Sequence, residues 1–221
     1  MSQKLQAIRG MNDVLPEAAA SWQHLHRTAA DVFAAYGYRE IRLPLVERTE
    51  LFKRTIGDVT DIVEKEMYSF EDRGGEGLSL RPEGTAGCVR AGIQHGLFHN
   101  QQQRLWYAGP MFRYERPQAG RYRQFHQISV EIIGSASIAQ DAQLLALFDR
   151  LFSEVFKLDN YALIINFLGC SKDREQFKET LYTFLATVQD SLCANCTIRK
   201  EKNILRVFDC KNPQCQEVYA K

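Results

Sequence analysis

Arg113, Glu115, Arg121 and Arg123 crowd into one short polar stretch that ends on Phe125, and the chain then places Gln127 and Glu131 at alternating positions of "QFHQISVEIIG". Arginine offers a rigid fork of donors that matches phosphate oxygens. A neighbouring aromatic ring offers a flat surface on which a base can stack. An amide and a carboxylate suit an ammonium or a ring nitrogen. Together these residue types suggest a nucleotide and an amine-bearing small molecule. Four of the eleven residues from Arg113 to Arg123 are arginine, whereas the 221-residue chain has a net charge of only +1. Most charge runs are solvated faces, so a hairpin tip with surface arginines is the plain alternative. The polar stripe within a strand argues for a ligand, because buried polar groups need partners. A second set is Cys193-x2-Cys196 and Cys210-x4-Cys215, with thirteen residues between the pairs. Four thiolates at such spacing can hold a tetrahedral zinc; four reduced cysteines in a small subdomain is the other reading.

The elements that must position these groups follow from periodicity. Trp22, Leu25, Ala29, Val32, Phe33 and Tyr36 recur at helical spacing before Gly37. "REIRLPLVE" alternates, with Ile41, Leu43 and Leu45 on one face, and Pro44 predicts an edge or a subunit contact. "KEMYSFEDRGGEGLSLRPE" reads as strand, glycine-rich turn, strand, and "GTAGCVRAGIQHG" as a short helix ending at Gly96. "RLWYAGPMFRYE" and "QFHQISVEIIG" read as two further strands joined by Arg116 to Arg123. In the second, alternation puts His126, Ile128, Val130 and Ile132 on a core face and Phe125, Gln127, Ser129 and Glu131 on the other. If the two strands pair antiparallel, Arg113 and Glu115 stand beside that second face. His126 reads as structural.

Ser137 with Gln140 reads as a capping box, followed by Leu144, Phe148, Leu151 and Val155 at helical spacing. "YALIINF" reads as a short buried strand. Asp173 with Gln176 predicts a cap for a helix carrying Phe177, Leu181, Phe184 and Val188. From Cys170 on the chain carries five of its six cysteines, so a boundary is placed between domains 1–169 and 170–221.

Hydrophobic residues at 45% and charged residues at 25% are an ordinary globular composition. The near balance of charge argues against a protein that coats nucleic acid broadly, so any polyanion contact must come from a local patch. The opening "MSQKLQAIRGMNDVLPE" lacks an apolar signal region and no run is long enough for a bilayer, so the expectation is a cytoplasmic protein with reduced cysteines and no membrane partner.

"FRYERPQAGRYRQFHQ" closely resembles motif 2 of class II aminoacyl-tRNA synthetases, and "YGYREIRLPLVERTELF" is similar to their motif 1. "LSLRPEGTAG" and "AIRGMNDVLP", with "RYRQFHQ", resemble the bacterial-type histidyl-tRNA synthetase family. The resemblance covers essentially the whole chain, with four motifs in the expected order. It implies an α+β fold with a mixed, mainly antiparallel sheet flanked by helices, and a homodimer formed through motif 1 around Pro44. It implies ATP-dependent activation of L-histidine, with Mg2+, and transfer to tRNA(His). By the same resemblance Arg113 contacts the α-phosphate, Glu115 holds the adenine end and Phe125 stacks on the base. Arg121 and Arg123 reach the outer phosphates. Glu83, Gly84, Thr85, Arg113, Gln127 and Glu131 line the histidine pocket, and Arg116 and Gln118 meet the tRNA acceptor end. Glu83 and Thr85 also suit a helix cap, and Arg9 with Asp13 a local turn network.

Members of the family continue beyond this length, with a further histidine-binding segment, the glycine-rich motif 3 and an anticodon-binding domain. Past Gly134 only Gly169 remains, so motif 3 is not within these residues. The expectation is a catalytic domain incomplete at the C-terminus, with residues 170–221 starting an inserted domain, and little or no adenylate formed by this chain alone. Two other functions stay open: a non-charging regulatory subunit of histidine biosynthesis, and a zinc- and RNA-binding module.

Overall fold

The computed structural model describes residues 5–56, 60, 62–166 and 169–219. They fall into two compact units, Met1–Tyr161 and Ala162–Lys221.

In the first unit, helix α1 (Pro16–Ala35) has its proline in the first turn, where the missing N–H has no helical partner to lose. It buries Ala29 and Phe33 and stops before Gly37. Strand β1 (Arg39–Glu40) follows, then β2 (Val46–Arg48) and helix α2 (Thr49–Ile56). Strands β3 (Ser69–Glu71) and β4 (Gly77–Leu80) form the expected hairpin and lead to helix α3 (Thr85–Gln94). Two ten-residue strands complete the site region: β5 (Gln103–Phe112) and β6 (Gln124–Ile133). Helix α4 (Ile138–Arg150) continues into a π-type turn, Leu151–Val155.

The strands make two sheets, ordered β1-β5-β6 and β2-β4-β3. The pairing of β1 with β5 is parallel and the others are antiparallel. The β5–β6 register aligns Met111 with Phe125, Gly109 with Gln127, Tyr107 with Ser129 and Leu105 with Glu131. Period-two alternation then sorts the faces. Trp106, Ile128, Val130 and Ile132 pack with Ala29 and Phe33 of α1 and Leu147 of α4. Leu105, Tyr107, Met111 and Cys88 form a separate core on the opposite face, with Phe125 against it. Both faces of the sheet therefore carry a core, and the polar groups lie on the face of the second one.

Some sequence expectations need correction. The strand expected across "REIRLPLVE" is broken: residues 41–45 lie outside both β1 and β2. Pro44 has no donor, and the Leu43 and Pro44 carbonyls instead accept from the Arg81 guanidinium at 3.1 and 3.5 Å. Ser137 is the N-cap of α4 but its side chain makes no cap bond; the Gln140 side chain that would complete the box accepts from Arg104 at 2.7 Å. The apolar run after Tyr161 is not a buried strand. Residues 161–166 are irregular and exposed, because no strand among the described residues offers them a ladder, and Phe167 lies outside the described residues.

The second unit is helical: α5 (Ser171–Thr187), α6 (Ala194–Lys202) and α7 (Pro213–Tyr219), with 3-10 turns at Gln189–Ser191 and Ile204–Asp209. Helix α5 starts before the expected cap. Cys170 is the N-cap, and Asp173, at the third helical position, accepts the Cys170 N–H at 2.8 Å. Leu181, Leu185, Ile204 and Val207 form its core.

Candidate functional site

The site is built on the β5–β6 hairpin. Regular strand pairing ends at Phe112, and one more backbone bond, from the Arg113 N–H to the Arg123 carbonyl at 2.9 Å, extends the ladder to Arg113. Arg113 lies over the Phe125 ring, 5.2 Å from its centroid, and its Nε donates to the Pro82 carbonyl at 2.9 Å. That bond aims the guanidinium and leaves both Nη groups without a hydrogen-bond partner among the described residues. The expected strand position of Glu115 is not formed, because the backbone turns at Arg113: the Glu115 N–H donates to the Arg113 carbonyl at 2.7 Å. The Glu115 carboxylate is 3.4 Å from Arg121 Nη1.

The loop is ordered by its own groups. Gln118 and Arg121 exchange backbone bonds of 3.1 and 2.9 Å, so the tip is a tight turn that exposes Arg116 and Gln118. Arg123 lies 4.0 Å over the Tyr114 ring and donates from Nε to the Glu115 carbonyl at 3.2 Å. It braces the base of the loop. The Gly10 carbonyl accepts from the Arg123 and Gln124 N–H groups, at 2.7 and 3.1 Å, which draws the "AIRGMNDVLP" segment onto the hairpin. Gly10 has φ +83°, and a Cβ there would stand 2.9 Å from Pro117, so this approach requires glycine.

A second group of polar side chains lies further along the same face. Thr85 Oγ1 and the Tyr107 hydroxyl both donate to Glu131 Oε1, at 2.8 and 2.9 Å. Tyr107 is buried, and burial pushes its phenol well above the ordinary value, so it remains a donor. Gln127 donates to Ser129 Oγ at 3.0 Å. The Glu83 carboxylate accepts the Thr85 and Ala86 N–H groups, at 2.5 and 3.0 Å. It therefore caps α3 and places negative charge at the helix's positive end. Gly84 lies against Tyr107; a Cβ at Gly84 would be 2.1 Å from the ring.

Phe125, Gln127 and Glu131 thus share a face with Tyr107, and Glu83 and Thr85 reach it from the start of α3. Sequence reasoning placed Ser129 on this face without giving it a role and missed Tyr107, although alternation along β5 puts Tyr107 there too. It also missed Arg81, which is 4% exposed and donates from Nε to the Pro110 carbonyl at 3.0 Å. No periodicity marks such a long-range clamp. The opposite sheet face holds an apolar cavity of about 450 Å³ lined by residues such as Trp22, His126 and Phe152. Without an arginine or a carboxylate, it offers none of the phosphate chemistry. His126 borders it, with its ring 4.7 Å from that of Trp22.

In the second unit the cysteine spacing becomes a cluster. The sulfurs of Cys193, Cys196, Cys210 and Cys215 all lie within 4.8 Å of one another. The Cys196 backbone N–H holds the Cys193 thiol down at about 7, while burial pushes Cys196 up to about 12. Cys88 and Cys170 stand outside this group, and burial raises Cys88 to about 11.

An α+β domain that presents an arginine–phenylalanine hairpin on one sheet face and packs helices on the other is of the class II aminoacyl-tRNA synthetase type. A model of the histidyl-tRNA synthetase family matches residues 10–173, and the chain belongs to that family. The apo histidyl-tRNA synthetase of S. aureus is 33% identical, with a TM-score of 0.74, over 97% of this chain and 50% of that one. An ATP phosphoribosyltransferase regulatory subunit/histidyl-tRNA synthetase from Bacillus halodurans C shares the fold, at 20% identity and a TM-score of 0.62, over 99% of this chain and 56% of that one. A histidine–tRNA ligase subunit from Alicyclobacillus acidocaldarius also shares it, at 21% identity and a TM-score of 0.57, over 68% of this chain and 42% of that one. The chain spans about half the length of the solved structures it matches. No helix among the described residues is long and apolar enough to cross a membrane.

Proposed function

We propose that this chain carries the ATP- and histidine-binding elements of a histidine–tRNA ligase. The observation that supports this best is the free Nη edge of Arg113, held over Phe125 on the sheet face that also presents Glu131. In this reading a carboxylate oxygen of histidine attacks the α-phosphorus of ATP, a new P–O bond forms, and pyrophosphate leaves. No side-chain nucleophile is needed; the step depends on positioning and on stabilising charge at the α-phosphate. Arg113 supplies that charge, Phe125 stacks on adenine and Glu115 faces its amino group. Arg121 reaches the outer phosphates once it leaves Glu115, whereas Arg123 mainly braces the loop. Glu131, Glu83, Thr85 and Gln127 receive the amino group and imidazole of histidine, around Gly84. Arg116 and Gln118, at the exposed tip, meet the acceptor end of tRNA(His). The homodimer through motif 1 and the cytoplasmic location belong to the same reading.

Magnesium would accompany ATP, since it is usually held by substrate phosphates with only one or two carboxylates, and no step is routed through it.

The test is calorimetric titration of the 221-residue chain with L-histidine, with ATP, and with each in the presence of the other. Binding of both, each strengthening the other, is expected. Histidine binding that ignores ATP would point to a regulatory role. Salt-sensitive RNA binding with no response to either small molecule would overturn the proposal in favour of an RNA-binding module.

A further inference from the structure

We propose that Cys193, Cys196, Cys210 and Cys215 form a structural zinc site that ties α6 to α7 within the Ala162–Lys221 unit. Four sulfurs about 2.3 Å from one tetrahedral ion stand about 3.8 Å from each other. Cys193 Sγ and Cys210 Sγ are 3.7 Å apart, one edge of that tetrahedron, and all four sulfurs fit within 4.8 Å. The cysteines are free thiols, so no disulfide competes for them.

The four ligands come from three places in the chain. Cys193 is the N-cap of α6 and Cys196 lies in its first turn. Cys210 follows the Ile204–Asp209 turn, and Cys215 lies in α7. Backbone donors already point at the sulfurs: the Cys193 N–H to Cys215 Sγ at 3.3 Å, and the Asn212 N–H to Cys210 Sγ at 3.4 Å. N–H groups so placed offset thiolate charge and fix ligand orientation around a metal.

Burial argues in the same direction. Cys196, Cys210 and Cys215 are buried and form a packing cluster that Leu192 and Tyr219 join to the Leu181–Val207 core. This small unit lacks the apolar bulk that usually stabilises a fold of its size, and a metal cross-link supplies what is missing. Four protein ligands leave no open coordination position, so the role is structural. An all-sulfur tetrahedron selects zinc or iron. On loading, four S–H bonds are replaced by four Zn–S bonds and the thiol protons pass to the buffer.

The full 221-residue chain, purified under reducing, chelator-free conditions, is expected to contain one zinc per chain by elemental analysis. Cys210→Ser should lose most of it, and Cys170→Ser should keep it. Because Cys210 is also a buried packing residue of the unit, the unmutated chain provides a second readout. With Co2+ in place of zinc it should show the visible absorption of tetrahedral thiolate coordination. Metal-free protein with all six thiols titratable once unfolded, iron in place of zinc, or a Co2+ spectrum without thiolate bands would overturn the assignment.

Discussion

Arg113 and Phe125 sit on opposite arms of one hairpin, yet the guanidinium lies 5.2 Å from the centroid of the ring. The Arg113 Nε bond to the Pro82 carbonyl holds it there. A cation fixed over an aromatic, its outer nitrogens without a partner among the described residues, suits the phosphate contact proposed for it.

Arg113→Ala should therefore weaken ATP binding without unfolding the chain. One hydrogen bond to a charged group contributes about 2 kcal/mol, or roughly thirty-fold in Kd. Arg113→Lys should recover little, because an ammonium cannot bond Pro82 and present a two-nitrogen edge together. Calorimetry with ATP, beside urea melts of each variant, checks both. Unchanged ATP affinity in Arg113→Ala would remove this residue from the site.

Much of the hairpin was legible in the sequence because strand alternation is strict. Placing Ile128 and Val130 on one face and Gln127 and Glu131 on the other needed only a period of two, and the register agrees. The cysteine grouping was likewise foreshadowed by spacing. What could not be read were contacts between distant segments. Arg81 lies 37 residues from Pro44 in sequence, yet its guanidinium occupies the carbonyls where a strand was expected. Gly10 shows nothing in its own neighbourhood of the hairpin it holds. Cys170 is an unusual N-cap, so the start of α5 was placed too late.

Gly84 and Tyr107 make the proposed histidine side of the site sensitive to a single methyl group. A Cβ at Gly84 would meet the Tyr107 ring at 2.1 Å, and the ring is buried with its hydroxyl on Glu131. Gly84→Ala must displace Tyr107, at a cost of about 1–3 kcal/mol for overpacking. Tyr107→Phe keeps the ring and loses one hydrogen bond, about 1 kcal/mol. Urea midpoints should rank wild type above Tyr107→Phe and Tyr107→Phe above Gly84→Ala. Histidine affinity should fall in both, since each disturbs the Glu131 carboxylate. If Gly84→Ala proves as stable as wild type, the close packing described here is wrong.

His126 gives the first unit a pH-dependent term. His126 is exposed overall, but partial desolvation of its ring beside Trp22 lowers its pKa from the ordinary 6.5, so the folded state favours the neutral ring. The unfolded chain then binds more protons between the lowered value and 6.5. The contribution to stability is complete above 6.5 and is lost as pH falls through that window. Urea midpoints measured at pH 8 and pH 5.5 should differ less for His126→Gln than for wild type. An identical change in both would show that His126 contributes nothing.

Arg81 separates scaffold from ligand contact within "LSLRPEGTAG". Its guanidinium is 4% exposed and spends its donors on main-chain carbonyls, Pro110 at 3.0 Å and Leu43 at 3.1 Å. A Cβ at Gly109 would lie 2.5 Å from its Nη2, so the strand backbone closes over it. Burial lowers its pKa. Arg81→Met would fill most of the volume but lose the bonds to the Pro110 and Leu43 carbonyls, at a cost of about 3 kcal/mol for two charged hydrogen bonds, besides the longer 3.5 Å contact to the Pro44 carbonyl. Arg81→Lys should recover only part, since one ammonium cannot span carbonyls on two segments in a planar fork. The expected signature is a lower urea midpoint with histidine and ATP affinities, measured where the protein is fully folded, within a few-fold of wild type. A large loss of ligand affinity at unchanged stability would instead place Arg81 among the residues that touch the ligand.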